Sequence, residues 1–325
     1  MNYTIAFLIL IIAYFHTPIS SLKAKMIFVS NEGSDTVTII DSNKLEIIKT
    51  INTGGRPRDM RISPDKRFLY VATSEANHIE IIDLQSLSII GTVETGDDPE
   101  IFAIDPENKI IVVSNEDDNE VTVIDINTKK IIRVVENVGI EPEGVTFSPD
   151  GKRVFVTSEG TNTVIIIDPW EGKIIDEILV GNRPRRGVFT TNGKEYWVSN
   201  ELGGTVSIID AKNLNIKKTL SFNIKGIRDN EITPVDFAVN PNGSHILVTL
   251  GRANHVAKVR TDNYEIEKYI LAGKRVWGAA IDKENNNLFV TNGNSDDITI
   301  ISLDKNTAIK SLPVGRTPHT VRILE

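Results

Sequence analysis

Repetition constrains this chain more than any other feature. VSNEDDNEVTVID at 113–125 restates VSNEGSDTVTIID at 29–41 and VSNELGGTVSIID at 198–210. Aligned on the closing apolar run, seven copies appear: TVTIID, HIEIID, EVTVID, TVIIID and TVSIID, then the weaker HVAKVR and DITIIS. They end on Asp41, Asp83, Asp125, Asp168, Asp210, Arg260 and Ser302, at steps of 42, 42, 43, 42, 50 and 42 residues. The long step contains the insertion FNIKGIRDNEIT before Pro234. Each unit also carries a run such as FLYVAT or RVFVTS, and a further run that usually closes on Gly, as at Gly54, Gly96, Gly139, Gly181, Gly273 and Gly315. A last run follows a Gly-x-x-Pro element, whole at Pro99, Pro142, Pro184 and Pro318. Four short strands in a unit of about 40–45 residues form one blade of a β-propeller.

The runs are apolar on both faces, as strands are when sheets stack on either side. SPDK, DPEN, SPDG, TTNG, NPNG and DKEN follow the first strands; in such turns Pro sits where φ is already set and Gly or Asn where φ turns positive. The repeats are cut out of phase: residues from Met26 begin on a second strand, and HTVRILE at the other end is a first strand. The expected fold is therefore all-β, a seven-bladed propeller of four-stranded blades over 25–325. Three N-terminal strands and one C-terminal strand complete one blade and remove exposed sheet edges. The aspartates that end the third strands are read as turn caps rather than a carboxylate ring.

Residues 1–24 differ from the rest. Ile5–Phe15 is an unbroken apolar run, too short to span a bilayer as a helix, and a small residue, Ala24, follows a polar stretch. This reads as a secretory signal and places the protein in the periplasm or outside the cell. The net charge of −8 disfavours binding to a nucleic-acid backbone. Without cysteine the chain has no disulfide, thiolate metal site or cysteine-attached haem.

LYVAT, IFVSN, IVVSN and LFVTN, each followed by an IID-type run and Gly-x-x-Pro, resemble the YVTN family of β-propeller repeats. The order RPR, DPEIF, EPEG, RPRRG, TPVDF and KRVWG around the ring resembles the PQQ-dependent catabolism-associated β-propeller proteins. That resemblance implies an exported protein that works beside quinoprotein alcohol oxidation, and it brings no catalytic residues with it. Blade six departs from the pattern, with LGRANHVAKVR in place of Ser-Asn-Glu and Ile-Ile-Asp.

The residue after each Gly-x-x-Pro proline, or its equivalent, is expected at the channel mouth: His319, Arg58, Glu100, Glu143, Arg185, Val235 and Trp277. Arg56, Arg183, Arg186, Arg275 and the turn residues Glu32, Glu75, Glu116, Glu159 and Glu201 are expected on the same face. Arg–Glu neighbours there can simply pair with one another. The same residues can also form a ligand pocket of Arg58, Arg185, Arg275, Trp277, His319, Glu100 and Glu143, where guanidinium forks grip carboxylates and an indole offers a flat face. With the resemblance, PQQ or an aromatic product is the natural ligand. Asp97, Asp98, Glu116, Asp117 and Asp118 offer oxygens for Ca²⁺, although without EF-hand spacing. A protein partner in an assembly is the other binding role.

No catalytic residue is assigned. A lactonase-like reading would use Glu143, Arg185 and His319, but no Ser-His-Asp or nucleophile-elbow sequence supports it. A surface-layer or purely structural propeller is a further alternative.

Overall fold

The computed structural model describes residues 25–284 and 286–324, so the expected secretory segment 1–24 lies outside the described residues. Seven antiparallel sheets of four strands each are present. Blade one joins Pro318–Leu324 to Met26–Asn31, Thr36–Asp41 and Glu46–Asn52, so the two ends of the chain are stitched into one sheet, with Met26 opposite Leu324 and Val29 opposite Val321. The other six blades follow in order, with innermost strands Pro57–Ile62, Pro99–Ile104, Pro142–Phe147, Pro184–Phe189, Pro234–Val239 and Val276–Asp282. Each innermost strand packs on the next around a closed ring. No helix among the described residues is long and apolar enough to cross a membrane.

Second and third strands are buried on both faces, and the cores lie between blades. Phe28, Val37 and Ile39 of blade one pack with Met60, Leu69 and Val71 of blade two. Phe155, Phe189 and Tyr196 form an aromatic cluster between blades four and five, with ring centroids 4.7–5.0 Å apart. The outermost strands differ: Glu46–Asn52 and its counterparts expose most of their residues, including Ile47, Ile48, Ile89 and Ile90, except in blade six, where Ile266–Leu271 is half covered. The insertion at 222–233 is a lid on the wedge between blades five and six. Phe222, Ile224 and Ile232 bury there beside Trp197 and Phe237.

Two repeated polar devices hold the blades. Asp41 Oδ1 accepts the backbone N–H groups of Asn43 and Lys44 at 2.9 and 3.0 Å, and Asp83, Asp168 and Asp210 repeat the pattern, which confirms them as turn caps. The hydroxyl of the Val-Ser or Val-Thr pair in the second strand joins neighbours. Ser30, Ser114, Thr157, Ser199, Thr249 and Thr291 each donate to a carbonyl on the next blade's innermost strand, at 2.6–2.8 Å. Each also accepts an N–H from an innermost strand of its own blade, at 2.7–3.2 Å. A buried hydroxyl satisfied on both sides is a strong reason for the repeated motif. Blade two has Ala72 at this place and lacks the bridge.

Candidate functional site at the channel mouth

Each innermost strand starts at the mouth with proline, or Val276 in blade seven, and carries a register shift directly afterwards. A bulge places two residues against one, so neighbouring side chains can both turn inward. The first position after proline forms the expected mouth ring of Arg58, Glu100, Glu143, Arg185, Val235, Trp277 and His319. All are buried except the half-buried Trp277.

The ring closes on itself through ion pairs. Arg58 pairs with Glu100, with Glu32 at 3.2 Å and with Glu143 at 3.7 Å. Arg185 reaches Glu159 at 2.5 Å, Glu143 at 3.0 Å and Glu201 at 3.9 Å. Burial opposes the charge on both guanidiniums, yet these carboxylates more than offset it and hold both pKa values above the ordinary arginine value. Trp277 lies 5.1 Å from the His319 ring, with Arg185 and Arg275 over its face at 5.3 and 4.9 Å. Burial, with Arg58, Arg186 and Arg185 nearby, pushes His319 well below the usual histidine range, so it is neutral.

A second shell stands over this ring. Arg56, Arg183 and Arg275 precede the innermost strands in the left-handed backbone region, with φ of 56–59°. Arg56 reaches Glu32, Asp98 and Glu100 at 3.2 Å. Arg183 reaches Glu159 at 2.7 Å, and Arg275 reaches Glu201 at 2.8 Å. Carboxylates are in excess. Burial raises Glu100, Glu116 and Glu159, with carboxylate neighbours adding to the effect, and Glu159 is pushed up to about 7. Burial also works against Glu143, but Arg185 and Arg58 hold it below the ordinary range.

The structure therefore brings Arg58, Arg185, Arg275, Trp277, His319, Glu100 and Glu143 together. The oxygens that converge as a cation would require belong to Asp98, Glu100 and Glu116, and to Glu116, Glu141 and Glu159, all lying within 4.8 Å of one another in each group. Asp97 accepts from Asn77, and Asp118 accepts the backbone N–H of Asp97, so these two and Asp117 stand outside both groups. Among the expected turn glutamates, Glu75 keeps the mouth face, beside Arg56, Asp97 and Asp98, but not the inward position. Ser74 occupies the place that Glu32, Glu116, Glu159 and Glu201 fill in their blades, and Glu75, one residue later, points into solvent.

Two deeper rings lie below the mouth ring; Arg186, expected at the mouth, belongs to the first of them because it stands one residue beyond the mouth-ring position, and the other members were not expected. The second position gives Asp59, Arg186 and Asp236, and the fourth gives Arg61 and Arg322. Counting the same offsets from each proline would have found them. At the far end these rings border a cavity of about 400 Å³.

Comparison with known proteins adds the lineage. A YNCE-like β-propeller model matches residues 19–153. A cytochrome D1 heme domain model matches residues 104–325. No curated protein matches the chain. Among solved structures, the periplasmic gluconolactonase PpgL of Pseudomonas aeruginosa is 18% identical over 93% of this chain and 99% of that one, with a TM-score of 0.77. The hydrazine synthase of Kuenenia stuttgartiensis is 20% identical over 85% of this chain and 92% of that one, with a TM-score of 0.76. The dihydro-heme d1 dehydrogenase NirN in complex with DHE is 14% identical over 91% of this chain and 74% of that one, with a TM-score of 0.68. At such identities the likeness establishes a common fold. The second family model covers well over half of the sequence, and the chain belongs to the cytochrome D1 heme domain family of β-propellers.

Proposed function

We propose that this is an exported, non-enzymatic binding propeller that serves periplasmic PQQ-dependent alcohol catabolism, with a polar ligand or partner recognised at the channel mouth. One observation carries the reading. The buried ring of Arg58, Glu100, Glu143 and Arg185 is held by its own ion pairs, while Arg56, Arg183, Arg275 and Trp277 remain partly accessible above it. An ion-paired floor under accessible guanidiniums and an indole suits recognition of an anionic aromatic such as PQQ. Ca²⁺ is the natural companion on the acidic side, at Asp98, Glu100 and Glu116.

The family name raises the question of haem. A macrocycle needs an apolar slot and an axial ligand. His319 is 1% exposed, packed on Trp277 and surrounded by guanidiniums, and the walls around it are charged. His78, His245 and His255 lie on second and third strands, away from the channel. The residues present do not fit haem.

A lactonase is the second reading, favoured by Glu159, whose carboxyl at about 7 has the poise of a general acid or base. Glu143 is fully buried and paired with Arg185, and Glu159 itself is buried and paired with Arg185 and Arg183, so this reading requires those ion pairs to open for a substrate. Thermal-shift titration with PQQ, Ca²⁺ and aromatic acids separates these roles, because a ligand of the folded state raises the Tm by mass action. A PQQ shift that vanishes in Arg275→Ala is expected. Gluconolactone turnover abolished by Glu159→Gln would establish the hydrolase instead.

A further inference from the structure

The far end of the channel opens away from the mouth, with Arg186 touching both levels through His319 and Thr320. The buried mouth ring separates the two, and the cavity of about 400 Å³ lies where the innermost strands end. Three guanidiniums line it, from Arg61, Arg186 and Arg322, against Asp236, with Asp59 behind them. Asp105 also lines it, but its oxygens are engaged by the backbone N–H groups of Glu107, Lys109 and Ile110.

The cations are not fully used. Arg322 is spent, on Asp59 at 2.7 Å and on the carbonyls of Met60 and Val321. Arg61 commits only Nε, to Asp59 at 2.9 Å and to the Phe102 carbonyl at 2.8 Å, and its terminal nitrogens bond no described residue. Arg186 holds Asp236 at 3.0 Å through one terminal nitrogen and reaches Thr320 at 3.4 Å and His319 at 3.5 Å through the other, while its buried Nε has no partner. Burial, with the neighbouring Arg61, pushes Arg322 down to about 10 against the pull of Asp59 and Asp236. The remaining wall is apolar, with Ile104, Phe147, Val188 and Phe237.

We propose that this cavity binds a small carboxylic acid with an apolar body, its carboxylate against Arg61 and Arg186 and its body against Phe147 and Val188. A bidentate guanidinium–carboxylate contact gives orientation, and the apolar wall supplies area.

The probe is benzoate, titrated calorimetrically into the protein with benzyl alcohol as the neutral control. Saturable one-to-one binding of benzoate alone is expected. Arg61→Gln should weaken it at least about tenfold. Val188→Phe keeps every charge and only takes volume, and it should weaken binding to a similar degree with the Tm preserved. Arg275→Ala, at the mouth, should leave it intact. Equal binding of benzyl alcohol, binding unchanged in Val188→Phe, or no heat up to about 10 mM benzoate would overturn the assignment.

Discussion

At the residue scale, the buried hydroxyl of the second strand explains most of the repeated phrase. Ser114 accepts the Ile101 N–H at 3.2 Å and donates to the Glu143 carbonyl at 2.6 Å, so it fixes a mouth-ring residue of the next blade through the backbone. Ser114→Ala leaves that carbonyl without its partner in a dry site and should cost about 1–3 kcal/mol in urea unfolding. The ionisable groups of the mouth give a second prediction. The folded-state pKa of Glu159 is raised, so its contribution to stability is complete below its unfolded value and is lost as pH rises toward about 7. Glu100 and Glu116 act with the same sign; Glu143 and His319, both depressed, act with the opposite one. Glu159→Gln isolates the term: Tm against pH between 5 and 7 should fall less steeply than in the unsubstituted protein. Parallel curves would refute the raised value.

At the scale of elements, closure decides integrity. Pro318–Leu324 is the innermost strand of blade one, and it packs against its neighbours on both sides of the ring. Deleting it would unpair Met26–Asn31 along a buried edge. Early elution on size exclusion and rapid proteolysis of residues 25–52 are expected, whereas a monomer of unchanged protease resistance would contradict the role of the strand. The blades were legible in the sequence because the same pattern of turn residues and apolar runs recurs at nearly constant spacing. The irregular 222–233 segment was legible only as an insertion, since its burial of Phe222, Ile224 and Ile232 depends on a wedge formed by two different blades. Glu75 misled because its turn has the same length as in blade one but carries Ser74 at the glutamate place and Glu75 one position later.

At the scale of the whole molecule, the ring was legible by offset from proline, but its pairings were not. Whether Arg58 faces Glu100 or open space depends on side chains brought together from separate blades, a relation that spacing along the chain does not carry. The deeper cations, Arg61, Arg186 and Arg322, follow from the same offsets, but the cavity they share is visible only in three dimensions. The wheel thus has two ends with different chemistry: a self-paired mouth under an outer shell of Arg56, Arg183 and Arg275, and a cationic cavity beneath it. The most direct measurement of the binding role is calorimetric titration of PQQ into the protein, with and without Ca²⁺, alongside Arg183→Ala and Arg275→Ala. Saturable binding that weakens in both variants is the expected result. An absence of heat from PQQ, together with gluconolactone turnover that depends on Glu159, would contradict it.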